Sequence, residues 1–168
     1  MANSRIGFIG LGHMGAPMAW NLHSAGFPLS VYNRSAERGQ PFAEAGLTVA
    51  DSPAALTRAV DTIILMVTDG DALRAMLRGG EGVLAGLSAG QTVVNMSTVH
   101  PDETREAAEA VQAAGGCFVD APVSGTVKPA QDATLVILAG GEEADVQAVE
   151  PALEAMGKKV LHCGGVGQ

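Results

Sequence analysis

At 168 residues the chain can enclose a real core, by the rule of about 100–200 residues per domain. Hydrophobic residues make up 47% and charged residues 17%, which excludes a disordered or polyelectrolyte segment. A formal charge of -8 argues against nucleic-acid or anionic-membrane binding, because both need an extended positive surface, while still allowing one anionic ligand held locally.

The opening Met1-Ala2-Asn3-Ser4-Arg5 passes directly into an apolar run, without the n-region and h-region of a secretory leader. No apolar run approaches the roughly 18 residues that span a bilayer. A soluble, cytoplasmic protein with no membrane partner is expected. Arg5 to Ile9 reads as the first strand, followed by a glycine turn and a helix from Met14 to Ala25 that Gly26 ends. Leu29 to Tyr32 is the second strand. Ser35 is expected to cap a helix running to Ala45, and Leu47 to Ala50 is a weak third strand. Asp51 or Ser52 caps a short helix with Pro53 in its first turn.

Asp61 to Val67 is apolar on both faces, as a central parallel strand must be. Thr92 to Asn95 is the next strand, and Pro101 opens an acidic helix to Ala114. Cys117 to Asp120, Leu135 to Ala139, a helix from Glu142 to Met156 and Lys159 to His162 complete the pattern. This alternation predicts an α/β fold: a doubly wound, mostly parallel sheet with helices on both faces, one domain over residues 1–168. Cys117 and Cys163 fall in strand-like stretches and suit a reduced protein better than a disulfide framework. No cluster of metal-ligand residues appears.

Gly10-Leu11-Gly12-His13-Met14-Gly15 is a G-x-G-x-x-G turn between strand and helix. Gly10 permits the tight turn, Gly12 lets backbone approach a pyrophosphate, and Gly15 lets helix and strand pack closely. The helix N-terminus then faces the diphosphate, so a dinucleotide cofactor is predicted. His13 is placed to touch its phosphate or ribose.

The second strand runs into Asn33-Arg34-Ser35. A site for NAD typically carries Asp or Glu here, about 20 residues after the glycines, to accept bonds from ribose hydroxyls. That acid is absent. Arg34 and Ser35 suit a 2′-phosphate, with Arg38 one turn on, so NADP is favoured over NAD.

Val67, Thr68 and Thr98 follow the ends of strands, where doubly wound sheets bind ligands. Thr98 can serve the nicotinamide side, yet Ser97 or Thr98 serves equally as a helix cap. Ser124, Gly125 and Thr126 in Asp120-Ala-Pro-Val-Ser-Gly-Thr126 present hydroxyls and N–H groups in a tight turn that can hold a carboxylate; an ordinary polar turn reads the same.

Ile6 to Ala19, Asp120 to Gly125 and the closing Gly164-x-x-Gly167 together resemble the β-hydroxyacid dehydrogenase family, over the whole chain. That family includes 3-hydroxyisobutyrate dehydrogenases, tartronate semialdehyde reductases and glyoxylate/succinic semialdehyde reductases. The resemblance implies hydride transfer between NADP and a small carboxylated aldehyde or hydroxy acid, with Ser124 and Gly125 binding the carboxylate. Thr126, where a second glycine is commoner, resembles the semialdehyde reductase variant. An NAD-using 3-hydroxyisobutyrate dehydrogenase and a non-catalytic nucleotide-binding module are the alternatives.

The resemblance further implies a catalytic lysine in G-x-x-G-x-G-x-x-x-K, about five residues beyond Gln168, and an all-helical second domain that builds a homo-oligomer. The chain is therefore expected to bind cofactor, to hold no catalytic residue of its own and not to turn over. Lys128 reads as a solvated loop residue, and Lys158 and Lys159 as cations at a helix C-terminus.

Overall fold

A computed structural model describes residues 4–167; the leader reading on Met1–Asn3 and the closing Gln168 lie outside them. Six strands form one wholly parallel sheet: β1 (Ile6–Ile9), β2 (Leu29–Tyr32), β3 (Thr48–Val49), β4 (Thr62–Leu65), β5 (Thr92–Asn95) and β6 (Cys117–Asp120). Their spatial order is β3-β2-β1-β4-β5-β6, the doubly wound order in which connections reverse direction beside β1. Ile6 pairs with Leu29 on one side and Thr62 on the other, so β1 and β4 lie at the centre.

Strands buried on both faces need two apolar layers. On one face, Phe8, Val31, Ile64 and Val94 pack against α1 (Gly15–Ser24) and α8 (Glu143–Met156). On the other, Ile9, Ile63, Leu65 and Val93 meet α3 (Pro53–Arg58), α4 (Gly70–Leu77), α5 (Val83–Gly86) and α6 (Pro101–Ala113). Full burial of each such side chain contributes roughly 1.5–3 kcal/mol relative to exposure. α2 (Gln40–Glu44) closes the β2 side, where Phe42 stacks on Trp20 of α1 with ring centroids 4.2 Å apart. Among the described residues no helix is long and apolar enough to cross a membrane.

A second sheet departs from the single sheet expected. β7 (Val123–Ser124), β8 (Leu135–Ala139) and β9 (Gly157–His162) form a three-stranded sheet, β7 antiparallel and β9 parallel to β8. α7 (Val127–Gln131) fills the β7–β8 connection, and a bridge between Asp120 and Gly140 ties this sheet to β6. Ser124 accordingly lies in a strand, opposite Val136, rather than in a tight turn.

Three further readings are corrected. Ser35 caps no continuous helix: a 3-10 turn over Ala36–Gly39 precedes α2, and the Ser35 side chain makes no capping bond. Pro41 explains the break, because it lacks the N–H that an uninterrupted helix would have donated back to Glu37. Lys158 and Lys159 belong to β9, not to a helix end, because the backbone turns extended at Gly157 (φ -138, ψ 162). Cys163 lies just past β9 and is exposed; its N–H donates to the Ala139 carbonyl at 2.8 Å. Cys117 and Cys163 are both free thiols.

Candidate functional site

The carboxyl ends of β1, β2 and β4 open onto a cleft of about 340 Å³ at the point where the strand order reverses. Its floor is the turn after β1. Gly10 takes φ +105, a left-handed conformation, and its N–H donates to the Tyr32 carbonyl at 3.0 Å. A Cβ on Gly10 would collide with the Met66 carbonyl oxygen, and one on Gly15 with the Gly10 carbonyl oxygen. Both positions therefore demand glycine for packing. Gly12 differs: a Cβ there meets nothing within 4 Å, because the position faces the open cleft. Among the described residues no side chain caps the N-terminus of α1. The Ala16 N–H is taken by the Gly12 carbonyl at 3.0 Å and Pro17 has none, so the Gly15 N–H and the positive dipole end are what the helix offers an anion.

Asn33 fixes the second wall. Its Oδ1 accepts from the Leu11 N–H at 2.8 Å and its Nδ2 donates to the Ser35 carbonyl at 3.1 Å. This side chain staples the end of β2 to the glycine turn. Arg34 and Ser35 are exposed at the rim, and Arg38 reaches back to the Leu11 carbonyl at 3.5 Å. Arg34 and Arg38, with His13, thus line the cleft, and among the described residues no Asp or Glu does.

The third wall is Met66, Val67 and Thr68 after β4, with Ala72 and Met76 from α4. Its position is set by two bonds: Met66 N–H to the Ile9 carbonyl at 2.9 Å, and Val67 N–H to Ser97 Oγ at 2.8 Å. Asp69 caps α4 by accepting from the Ala72 N–H at 2.8 Å. The sequence reading left this helix out, although Asp69 followed by Leu73, Met76 and Leu77 carries a cap and a helical apolar spacing.

The sequence-predicted residues divide by place. Gly10, Gly12, His13, Asn33, Arg34, Ser35, Val67 and Thr68 line the cleft. Leu11 and Gly15 are buried beneath it and Met14 is half-buried against the core, so these three shape the turn. Thr98, Ser124, Gly125 and Thr126 do not line the cleft; all four are exposed, beyond the ends of β5 and β6. Neither Ser97 nor Thr98 caps α6. His100 does, its Nδ1 accepting from the Asp102 N–H at 3.2 Å while Glu103 accepts the His100 N–H at 3.0 Å. Lys128 lies in α7 rather than in a loop; it is exposed and pairs with Asp132, four residues on, at 3.1 Å.

One polar pair was missed by the sequence reading. Asn95 is fully buried, its Oδ1 accepting from the Ser97 N–H at 3.1 Å while its Nδ2 has no partner among the described residues. Asp120 is its register neighbour and is also buried. Burial pushes the Asp120 carboxyl above the ordinary carboxylate range, and the Gly167 N–H directed at it pulls the other way. The available signal was a polar amide or carboxyl residue closing each of two strands after an apolar pair, Val93-Val94 and Phe118-Val119. Among the described residues no group of three or more His, Cys, Asp or Glu is placed to hold a metal.

A glycine turn pressed onto a central strand, an uncapped helix N-terminus and a cleft at the strand reversal define a dinucleotide-binding α/β domain. The residues fit such a cofactor, because Gly12 leaves the approach to the helix N-terminus clear. The chain belongs to the family described as the NAD binding domain of 6-phosphogluconate dehydrogenase, whose model matches residues 5–165. It is similar to the mitochondrial 3-hydroxyisobutyrate dehydrogenase of Mus musculus, at 40% identity over 162 residues, 96% of this chain and 48% of that protein. It is also similar to the 3-sulfolactaldehyde reductase of Escherichia coli strain K12, at 41% identity, over 96% of this chain and 54% of that one. The solved structure of Mycobacterium tuberculosis 3-hydroxyisobutyrate dehydrogenase with L-serine superposes with a TM-score of 0.92 at 33% identity, over 98% of this chain and 56% of that one. The chain spans about half the length of the curated relatives it matches.

Proposed function

We propose that this domain binds NADP(H) in preference to NAD(H) and serves a reductase or dehydrogenase of small carboxylated aldehydes or hydroxy acids. The observation that carries the cofactor preference is the end of β2. Arg34, Ser35 and Arg38 line the cleft there, and among the described residues no carboxylate stands in it to accept hydrogen bonds from the ribose hydroxyls. A guanidinium presents paired donors matched to a phosphate, whereas a free 2′-hydroxyl gives it little to bind.

The glycine turn and the N-terminus of α1 would hold the diphosphate, and Val67 and Thr68 would flank the nicotinamide half. When bound, the reduced cofactor would supply hydride to an aldehyde, and the oxidised cofactor would accept it from a hydroxy acid. The chain's own residues do the holding: Asn33 keeps the turn in register with β2, and Ser97 keeps the β4 loop in register with β5. Ser124, Gly125 and Thr126, with Thr98, would orient the substrate carboxylate through hydroxyl and backbone donors. The name of the 3-hydroxyisobutyrate dehydrogenase relative agrees with a small hydroxy acid, and that of the 3-sulfolactaldehyde reductase with a small anionic aldehyde, there bearing a sulfonate.

The test is Arg34→Ala. The variant should lose at least tenfold in NADP+ affinity while NAD+ affinity stays within twofold, read by calorimetric titration. An unchanged NADP+/NAD+ ratio would refute the assignment.

A further inference from the structure

Helix α1 carries the glycine turn at one end, and near its other end Asn21 makes a bond that crosses the molecule. Its Nδ2 donates to the Ala130 carbonyl at 2.7 Å, joining residues 109 apart in sequence. Ala130 is fully buried in α7, the short helix that begins immediately after Thr126. We infer that Asn21 is a positioning residue that locks the Ser124–Thr126 segment to the cofactor helix. This rests on the reading of Ser124–Thr126 as the carboxylate-binding segment given above.

α7 spans five residues, so its last carbonyls need partners from outside the helix. Asp132 N–H takes the Lys128 carbonyl at 3.0 Å and Thr134 N–H takes the Pro129 carbonyl at 2.8 Å. The Ala130 carbonyl goes to Asn21. The chain then leaves α7 through Ala133 at φ +57, a left-handed conformation on a non-glycine residue. Such a conformation persists only where the surroundings over-determine it.

From α7 the link to the substrate segment is direct packing. Gly125 sits at φ +143, and a Cβ there would lie 2.8 Å from Leu135 Cδ2 and 3.3 Å from Pro129 Cβ. Gly125 is therefore seated on Pro129 within α7 and on Leu135 at the start of β8, and Ser124 is held opposite Val136 of β8. Ala130 and Leu135 share one apolar cluster with Met18 and Leu22 of α1. Apolar packing alone allows α7 to slide along α1. The Asn21 bond fixes the register, because sliding would strand a buried carbonyl.

Amide hydrogen exchange on the 168-residue chain tests this, comparing wild type with Asn21→Ala and Asn21→Asp. In Asn21→Ala, protection over residues 124–134 should fall at least tenfold while amides of β4 and β5 keep theirs. Asn21→Asp has the same shape but donates only when protonated. It should show the same local loss at pH 8 and regain protection as the pH is lowered toward 5. Protection over 124–134 that does not change, a loss spread evenly through β4 and β5, or an aspartate variant with no pH-dependent recovery would overturn the inference. Titration of the wild-type chain with 3-hydroxypropionate in the presence of NADP+ addresses the underlying reading. Failure to bind there removes the carboxylate role and leaves the exchange result standing.

Discussion

Three glycines of one turn have different reasons to be glycine. Gly10 and Gly15 would each drive a Cβ into a backbone carbonyl, so their replacement damages the fold and the site together. Gly12 would meet no protein atom within 4 Å, and its only demand is room for a ligand. Gly12→Ala should therefore keep its stability within about 0.5 kcal/mol, the range of a surface change away from special features. Its cofactor affinity should nevertheless fall tenfold or more. Urea unfolding and a cofactor titration on the same variant separate the two effects. Loss of both in proportion would mean that Gly12 is a folding residue.

At the scale of elements, caps and turn residues decide where helices begin. Ser52 caps α3 by accepting from the Ala55 N–H at 3.0 Å, with Pro53 at the first helical position. Ser52→Ala should cost about 1 kcal/mol, measured as a lower urea midpoint with an unchanged slope. Such a cap was legible in the sequence, as were the glycine turn and the strands Leu29–Tyr32, Thr92–Asn95, Cys117–Asp120 and Leu135–Ala139. Each of those strands is a short apolar run with a turn signal at its end. The β7–β8–β9 sheet was not legible, because β7 is two residues long and its existence depends on pairing with Val136 and Ile137. α4 escaped notice because Thr68-Asp69-Gly70 reads as a loop until the spacing of Leu73 and Leu77 is counted. The division of the region after Ser35 turned on one missing N–H, at Pro41. Of the candidate site, the glycine turn and the Arg34–Ser35 wall could be found by motif. Asn95 and Asp120 could not, since their burial depends on neighbouring strands.

For the whole molecule, charge sets how stability follows pH. Hydrogen bonds and charge from Arg5 hold the Asp61 carboxyl below its ordinary range, and Arg74 does the same for Glu106. Both pairs are exposed, so their stabilisation is small and is lost as pH falls through the lowered values. Asp120 has the opposite sign. Its carboxyl is raised by burial, so the folded state binds the proton more tightly than the unfolded chain. Stability therefore declines as pH rises from the ordinary carboxylate range through the raised value, and the cost is complete above it. Asp120→Asn, which keeps an acceptor for the Gly167 N–H, should raise the urea midpoint at pH 7 and leave it unchanged at pH 3. An equal gain at both pH values would show that charge is not the cause.

The same net charge of -8 makes a local cationic rim informative. Arg34 and Arg38 are placed at one cleft of an acidic molecule, where an added phosphate is the ligand group best able to distinguish them. The most direct measurement is calorimetric titration of the chain with NADP+ and NAD+ under identical salt and pH. NADP+ should bind at least tenfold tighter, with the margin shrinking as salt rises. Equal affinities, or tighter binding of NAD+, would contradict it.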